Sequence, residues 1–351
     1  MLPGMLRSLL RRLTATIGVG LCLLAVGCET SSSRQSTRYP PPAAPGQYPP
    51  GQPQGQVPPG QQPVGPAPAG GQPTPTSPSP GNPPVFDPIN NVDVIWLRNR
   101  AQEVLTTLLG ALDPGPRQRV AGIPLIVDDT VGEVNAYAAC TQSGKAAMAI
   151  SDGLLDIEAH LAQAKATDEL FSTNKTDEYI RLVATNQQPG QPIVRPPMGF
   201  FDSTQHLDPR KVSRQHELLD EQIGFVLGHE LAHHYLGHLP CTAGGGPLNP
   251  GEIGMLLSGA IPAFNQPNEV AADMAGTNNV LNAGARQTGH NWTESGALLT
   301  MQFFSGLDQL SAVDIIFGFE RSHPPPQIRR PIIQQTAATW RLAGGRSIPI
   351  P

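Results

Sequence analysis

The chain has 351 residues, of which 39 are proline and 37 are glycine, and it carries a formal net charge of −5 at pH 7. This proline content is too high for a single compact domain of that length, so part of the chain is expected to lie outside any packed core. The negative charge argues against nucleic acid and anionic membrane surfaces as partners.

The first 27 residues have the order of a secretory signal: a basic start, an apolar stretch and a small residue at the end. The basic residues are Arg7, Arg11 and Arg12. The ending "LLAVGC" resembles a bacterial lipobox, in which Cys28 becomes the lipidated first residue of the mature protein. The alternative is an uncleaved signal anchor. Loss of the three arginines with the signal would change the net charge from −5 to −8.

The residue after the lipobox bears on the destination of the protein. Glu29 follows Cys28, whereas an aspartate at that place tends to retain lipoproteins in the inner membrane. We therefore expect an exported lipoprotein that is anchored in the membrane through Cys28, at the periplasmic face of the outer membrane.

Residues 28–87 form the predicted linker. The stretch from Pro40 to Pro84 is rich in proline, glycine and glutamine and contains no charged residue. Such a segment cannot bury enough apolar surface to offset the entropy of its chain. The sequence predicts a disordered, partly polyproline tether and a folded domain over residues 88–345, in which no apolar run is long enough to span a bilayer.

The folded part is predicted to be α+β and mostly helical, with a small antiparallel sheet beside the helix that ends near residue 238. A strand is expected in "GIPLIVDD". Helices are expected over 92–112, 153–167, 220–238, 294–309 and 331–342.

The segment "HELAH", residues 229–233, has the pattern HExxH. On a helix, residues four apart lie one turn apart, so the imidazoles of His229 and His233 project the same way. Two imidazoles at this spacing can ligate Zn²⁺, and Glu230 can then reach a metal-bound water as a general base.

A catalytic zinc site keeps three protein ligands and one open position, so a third ligand is needed. The metzincin pattern would require glycine and histidine at positions that hold Leu236 and Leu239, which excludes it. His238 would point away from the site and is expected to be a structural histidine at the helix end. His234 lies on another face and is expected to pack or to face solvent.

A second segment, "NEVAADMAG" at residues 268–276, can supply the third ligand. Glu269 and Asp273 are four residues apart and share a helix face. Glu269 can bind the metal, and Asp273 can accept a hydrogen bond from the second ring nitrogen of a ligand histidine, which would fix its tautomer. The alternative is a solvated acidic face, although the small residues around these carboxylates favour close packing.

HExxH followed by ExxAD resembles a zinc-peptidase family that includes the CAAX prenyl protease, HtpX, and the periplasmic proteases BepA and LoiP. Residues 134–155 resemble the strand pair of this family, and "SHPPPQIRR" at residues 322–330 resembles its HPxxxxR motif. The resemblance covers residues 95–343. It implies a zincin-type metallopeptidase domain of the gluzincin kind, with one Zn²⁺ per chain bound by His229, His233 and Glu269.

The same resemblance implies a function: a zinc-dependent endopeptidase of the bacterial cell envelope that cleaves extended or misfolded polypeptides, with Glu230 as general base. His323 or Arg329 would stabilise the oxyanion. His323 could instead occupy the fourth zinc position as a latch, or the motif could merely shape a turn. The substrate would pair as an added strand with the edge strand at Asn135, Ala136 and Tyr137.

Two features depart from the family. Residues 165–217 form an insertion that contains an irregular glycine- and proline-rich stretch, for which we expect a lid or an exosite over the cleft. Cys140 lies in the strand pair where small or turn residues are usual. In an oxidising compartment Cys140 can form a disulfide with Cys241; two buried free thiols are the alternative.

Two rival functions remain open at this point. The first is a non-proteolytic envelope assembly factor or chaperone on the same fold, with a structural zinc. The second is a zinc hydrolase that acts on cell-wall peptides, which is less favoured because no segment resembles a glycan-binding module. Glu230 distinguishes the assembly factor from a protease, because a structural zinc site does not need a glutamate that acts as a general base.

Overall fold

The computed structural model describes residues 86–241, 245–258, 265–310, 318, 323–347 and 350. The predicted signal peptide, Cys28 and all but the last two residues of the predicted linker lie outside these ranges. Within them, no helix combines the length and the apolar character that crossing a membrane requires.

The described part is α+β and mostly helical, as predicted. Its helices and strands, in chain order, are α1 (Val94–Ala111), α2 (Pro114–Arg119), β1 (Leu125–Asp128), β2 (Ala136–Cys140), β3 (Ala146–Ser151), α3 (Asp152–Phe171), α4 (Lys175–Asn186), α5 (Ser203–His206), α6 (Pro209–Tyr235), α7 (Pro250–Ser258), α8 (Gln266–Gly284), α9 (Ser295–Leu310) and α10 (Pro326–Leu342).

The sheet is mixed, and the prediction of an antiparallel sheet is therefore wrong in part. The strand order is β1-β3-β2, with β2 antiparallel and β1 parallel to the central strand β3. A short turn at Gly144 (φ 80°) joins β2 to β3 and makes that pair antiparallel. β1 pairs with the other edge of β3, and the sequence pattern of an isolated strand does not reveal its direction.

Helix α6 is the centre of the domain. It runs for 27 residues and packs against α1, α3, α8 and α9. It begins at Pro209, well before the predicted start at residue 220, with the carboxylate of Asp208 accepting a hydrogen bond from the backbone N–H of Arg210. The charged residues of its first turns hid this start in the sequence, because their spacing shows no continuous apolar stripe.

Helices α6 and α8 cross where two glycines meet. A Cβ atom added to Gly276 would lie 2.8 Å from the backbone nitrogen of His229, and one added to Gly228 would lie 3.3 Å from the Cα of Gly276. The missing side chains let the two backbones approach closely. This close crossing brings the imidazoles of α6 to the carboxylates of α8.

Helix α10 packs against α8 and α9. It begins at Pro326, five residues before the predicted start. Proline is favoured in the first turn of a helix, which suits the start at Pro326, whereas Pro331 lies inside the helix. The additional first turn contains Arg329, which reaches the predicted site.

The insertion at residues 165–217 comprises the end of α3, helices α4 and α5, and the start of α6. Helix α4 packs against α3 and α9. Residues 187–202 contain neither helix nor strand. Hydrogen bonds fix this stretch: the Tyr179 hydroxyl donates to the backbone oxygen of Val194 at 3.3 Å, and Arg195 pairs with Asp156 at 2.6 Å. Its role as a lid stays a prediction.

A disulfide joins Cys140 at the end of β2 to Cys241 beyond the end of α6, with 5.3 Å between their Cα atoms. The two cysteines are 101 residues apart in the sequence. The bond therefore links the edge of the sheet to the chain that leaves the central helix.

Candidate metal centre

His229 and His233 lie one turn apart on α6, and both are almost completely buried. Their Nε2 atoms are 3.1 Å apart. The helix thus places two imidazole nitrogens side by side, as the HExxH spacing predicts. Both nitrogens face α8 across the glycine crossing.

Glu269 completes a cluster of three potential ligand atoms. Its carboxylate oxygens lie 3.4 Å from Nε2 of His229 and 3.4 Å from Nε2 of His233. These distances are longer than an ordinary N–H···O hydrogen bond. Zinc ligands at bond lengths of about 2.0–2.1 Å in a tetrahedron are separated by about 3.3–3.4 Å. Each imidazole nitrogen thus has a different oxygen of Glu269 at 3.4 Å, close to that separation, and the two nitrogens are 3.1 Å apart.

The burial of Glu269 supports the same conclusion. The side chain is 1% exposed, and neither carboxylate oxygen has a hydrogen-bond partner among the described residues. A buried carboxylate without a partner is strongly unfavourable, whereas coordination of a cation removes that cost. Together with His323, these residues form a buried group whose ligand atoms all lie within 4.8 Å of one another.

Second hydrogen bonds orient both ligand histidines. Nδ1 of His229 lies 3.0 Å from Oδ1 of Asp273, and Nδ1 of His233 lies 2.9 Å from Nδ1 of His238. We assign the proton to Nδ1 in both ligand rings, because Asp273 can only accept and His238 can accept with a neutral ring. This tautomer directs Nε2 of each ring into the cluster.

His238 does not point away from the site, so that prediction is wrong. The helix ends at Tyr235, and Gly237 adopts a positive φ of 80° that turns the chain back. The backbone N–H of His238 consequently donates to the carbonyl of His233 at 2.9 Å. His234, in contrast, packs on the sheet, where its Nε2 donates to the carbonyl of Ala147 at 3.0 Å.

Arg329 forms a buried ion pair with Asp273. Its Nη2 donates to Oδ1 of Asp273 at 2.7 Å, and its Nε donates to the same carboxylate at 3.1 Å. Burial alone would raise the pKa of Asp273, but the charges of Arg329 and His229 lower it to about 2. Asp273 is therefore an anion that holds His229 on one side and Arg329 on the other.

The surroundings of His229 favour a positive charge. Burial and the charge of Arg329 lower the pKa of His229, yet the hydrogen bond to Asp273 and the neighbouring Glu269 carboxylate outweigh them and raise it to about 9. For His233, burial and the charge of His229 lower the pKa far below its usual range. The cluster thus holds one positive charge next to Glu269, and either a proton or a metal cation can supply that charge.

Glu230 and His323 lie beside the three ligand atoms. Oε1 of Glu230 is 3.1 Å from Nε2 of His323, and both side chains are buried. The other oxygen of Glu230 has no hydrogen-bond partner in the ranges that the structure describes. A cavity of about 130 Å³ opens next to His323; it is lined by Phe304, Asp308, His323, Pro324, Pro325, Pro326 and Arg329.

The three residues of the predicted substrate strand lie at or next to β2, which is an edge strand of the described sheet. Ala136 and Tyr137 are the first residues of β2, and Asn135 precedes them with its backbone N–H donating to Oγ of Ser151 at 2.9 Å. Helix α7 covers part of this strand, since the Tyr137 hydroxyl donates to the carbonyl of Leu256 at 3.3 Å.

The sequence did not reveal two contributions to the site. The small residues next to each motif indicated close packing, but they did not show that Gly228 and Gly276 form the helix crossing. His238 was noticed, but its contact with His233 depends on a turn that the helical pattern did not show.

The chain matches no protein-family model, no curated protein and no solved structure. The family resemblance of the motifs therefore stays a prediction, and the function is inferred from the geometry of the site.

Proposed function

We propose that this protein is a zinc-dependent endopeptidase. The observation that carries the proposal is the buried cluster of His229, His233 and Glu269, in which the imidazole nitrogens lie 3.1 Å apart and each has a Glu269 oxygen at 3.4 Å. These distances are near the separation of zinc ligands, and a glutamate with an unpartnered oxygen lies beside the cluster. The HExxH and ExxAD motifs support it, because they supply these residues in the order of a known zinc-peptidase family.

The types of donor atom favour zinc over the other common divalent ions. Two imidazole nitrogens and one carboxylate are a usual ligand set for catalytic zinc. Calcium and magnesium prefer oxygen ligands, and calcium takes six or more of them. Three ligands also leave the open position that a catalytic site needs.

The residues of the chain have distinct roles in this proposal. A zinc ion bound there would lower the pKa of a coordinated water toward about 7 and polarise a substrate carbonyl. Glu230 accepts the proton of the attacking water and delivers it to the leaving amine. Asp273 holds His229 in the required tautomer, and His238 does the same for His233.

His323 contacts Glu230, and this contact is compatible with two roles. In the first, His323 orients Glu230 and donates to the developing oxyanion of the substrate. In the second, it occupies the fourth ligand position as a latch. Replacement of His323 by phenylalanine distinguishes them, since loss of an oxyanion donor lowers kcat and loss of a latch raises activity.

Arg329 acts as a positioning residue in this proposal. Among the described contacts, its Nε and Nη2 donate to the carboxylate of Asp273, and its Nη2 lies 3.2 Å from Nδ1 of His229, the ring nitrogen that faces away from the other ligand atoms. This arrangement favours support of His229 over contact with an oxyanion.

We further propose that the substrates are extended or misfolded polypeptides of the cell envelope, which pair with the edge of β2 through their main chain. An exported lipoprotein anchored through Cys28 at the periplasmic face of the outer membrane would meet such polypeptides. The N-terminal residues that carry this part of the proposal lie outside the described ranges.

The alternative is an envelope assembly factor or chaperone without proteolytic activity. Glu230 favours the protease, because its buried carboxylate lies beside the ligand atoms but is not one of the three proposed zinc ligands. The test compares envelope fractions of cells that produce either the wild-type protein or the Glu230→Gln variant, by mass spectrometry. We expect specific polypeptides to accumulate only with the variant. Unchanged fractions and full biological function of the variant would support the assembly factor.

A further inference from the structure

A cavity of about 300 Å³ lies between α3 and the irregular stretch that joins α4 to α5. Its volume is at the lower end of the range of about 300–1,000 Å³ that is typical of small-molecule sites. His160 and Gln163 of α3 form one wall, and the irregular stretch forms another with Pro196, Phe200 and Phe201. None of the residues that line it belongs to the candidate metal centre.

Two polar side chains in this wall are almost completely buried, yet each presents one atom to the cavity. His160 is 5% exposed and Gln163 is 1% exposed. Nε2 of His160 and Oε1 of Gln163 make no hydrogen bond within the described part of the chain, and neither atom is enclosed by protein. Because both side chains line the cavity, a ligand there can reach these two atoms.

Both of these atoms are hydrogen-bond acceptors. Nδ1 of His160 lies 2.9 Å from the carbonyl oxygen of Asp156 and 2.8 Å from its Oδ1, so we assign the ring proton to Nδ1 and leave Nε2 as an acceptor. The side-chain nitrogen of Gln163 donates to the carbonyl of Ile89 at 2.8 Å, which identifies the other atom as the oxygen. The two residues are three apart on a helix, so they are neighbours on one face. A ligand with two adjacent donors can bind both.

Asn90, which also lines the cavity, shows the contrast. Its Nδ2 donates to the carbonyl of His206 at 3.0 Å, and its Oδ1 accepts from Nζ of Lys211 at 2.8 Å. The fold itself uses both ends of this carboxamide. The acceptors of His160 and Gln163 are therefore not simply what every polar group in this wall shows.

The charges around the cavity favour a neutral ligand. Among the described residues that line it, none is an acid, a lysine or an arginine. A cation would approach Lys211, whose ammonium lies 5.3 Å from the ring centroid of Phe201. An anion would face the lone pairs of the two acceptors. Asp156, which lies behind His160, is already paired with Arg195 at 2.6 Å.

An aromatic corner completes the lining. The rings of Phe200 and Phe201 are half-buried and stand at 83° to each other, with their centroids 4.9 Å apart. Pro196 and Pro197 extend this apolar surface. The face of an aromatic ring is negative and attracts the weakly positive hydrogens of C–H groups. The corner therefore suits a ligand that presents an apolar C–H face.

We propose that this cavity binds a neutral saccharide through one pyranose ring. Two adjacent hydroxyls donate to Nε2 of His160 and Oε1 of Gln163, and the C–H face of the ring packs on Phe200 and Phe201. A peptide fits less well, because each residue has only one N–H and brings a carbonyl beside the two acceptors. The site goes beyond the proposed peptidase activity and does not depend on it, because no metal ligand takes part.

The test uses methyl β-D-glucopyranoside as the probe and the purified full-length chain. Binding is followed through the NMR signals of the His160 imidazole and the Gln163 side-chain amide, and we expect both to shift on titration. The fully O-methylated glucoside keeps the ring but has no hydroxyl donor, so it should bind about tenfold more weakly or not at all. N-acetyl-phenylalaninamide, a peptide probe with an aromatic side chain, should leave both signals in place.

Two variants test the lining directly. His160→Phe keeps a ring against Tyr179 and removes the acceptor, and Phe200→Ala removes half of the aromatic corner at a half-buried position. We expect each to weaken probe binding about tenfold. Phe86→Ala, at a 65% exposed phenylalanine that does not line the cavity, is the control for Phe200→Ala and should bind like the wild type.

The Phe200 variant keeps the test decisive even where the buried His160 variant does not fold. The proposal is overturned if the glucoside shifts neither signal, or if the peptide probe binds in its place. It is also overturned if the O-methylated glucoside binds as well as the glucoside, or if Phe200→Ala binds the glucoside like the wild type.

Discussion

Arg329 and Asp273 form a buried ion pair directly behind His229, with Nη2 of Arg329 2.7 Å from Oδ1 of Asp273 and the same Oδ1 3.0 Å from Nδ1 of His229. The arginine thus compensates the charge of a carboxylate that itself orients a candidate metal ligand. Through this pair, α10 supports a site whose ligands lie on α6 and α8.

Replacement of Arg329 by methionine tests the importance of this pair. It leaves the Asp273 carboxylate buried without its cation, which is expected to lower the free energy of unfolding by about 3–5 kcal/mol. Urea unfolding monitored by circular dichroism measures the change. Arg330→Met, at the neighbouring and partly exposed position, is the control and should have little effect. Equal effects of the two substitutions would contradict the assigned role of Arg329.

Substitution of Gly276 by alanine tests the helix crossing. The new Cβ atom would lie 2.8 Å from the backbone nitrogen of His229, which cannot move without shifting α6. We expect a loss of about 1–3 kcal/mol in the free energy of unfolding, as for overpacking elsewhere, together with weaker zinc binding. Gly254→Ala in α7 is a matched control, because nothing lies within 4 Å of its added Cβ. If Gly276→Ala binds zinc like the control, the crossing does not position the ligands.

The disulfide between Cys140 and Cys241 is expected to stabilise the fold by closing a long loop. Its removal in the Cys140→Ser, Cys241→Ser double variant should lower the free energy of unfolding by about 2–5 kcal/mol. Equilibrium unfolding of the double variant, and of the wild type with and without a reductant, measures the change. A reductant should destabilise the wild type and leave the variant unchanged. Equal stability of oxidised and reduced wild type would contradict the prediction.

Lys211 predicts a dependence of stability on pH. Burial lowers its pKa from 10.5 to about 8, so the folded protein holds this proton less tightly than the unfolded chain does. Below pH 8 the charged ammonium therefore costs stability, and this cost disappears as pH rises from about 8 to 10.5. Its hydrogen bond to Oδ1 of Asn90, at 2.8 Å, offsets part of the cost.

Lys211→Met should accordingly raise the free energy of unfolding at pH 7 by about 2 kcal/mol, after allowance for the lost hydrogen bond. The advantage should shrink between pH 8 and 10.5. Urea unfolding across this range measures it, with Lys165→Met at a partly exposed position as the control. A constant difference between variant and wild type from pH 7 to 11 would show that the lysine proton is not responsible.

Much of the candidate site was accessible from the sequence because helical spacing is a local property. The separation of four residues fixes the relative position of His229 and His233, and the same holds for Glu269 and Asp273. The structure brings the two pairs together. Small residues around both motifs indicated close packing, but they did not show which atoms would meet.

The features that the sequence did not predict depend on contacts between distant segments. The parallel pairing of β1 with β3 follows from the path of the connecting chain. The contact between the rings of His238 and His233 depends on the positive φ of Gly237, which turns the chain back after the helix ends. The early start of α6 at Pro209 was hidden because the charged residues of its first turns show no continuous apolar stripe.

The most direct test of the central claim is the zinc content of the purified protein. Wild-type protein, Glu230→Gln and Glu269→Gln are each incubated with zinc, passed over a desalting column and analysed by mass spectrometry of the metal. We predict one zinc ion per chain in the wild type and in Glu230→Gln, hydrolysis of an unfolded polypeptide by the wild type alone, and strongly reduced zinc in Glu269→Gln. A wild-type chain without zinc, or a Glu269→Gln variant that binds zinc as tightly as the wild type, would contradict the account.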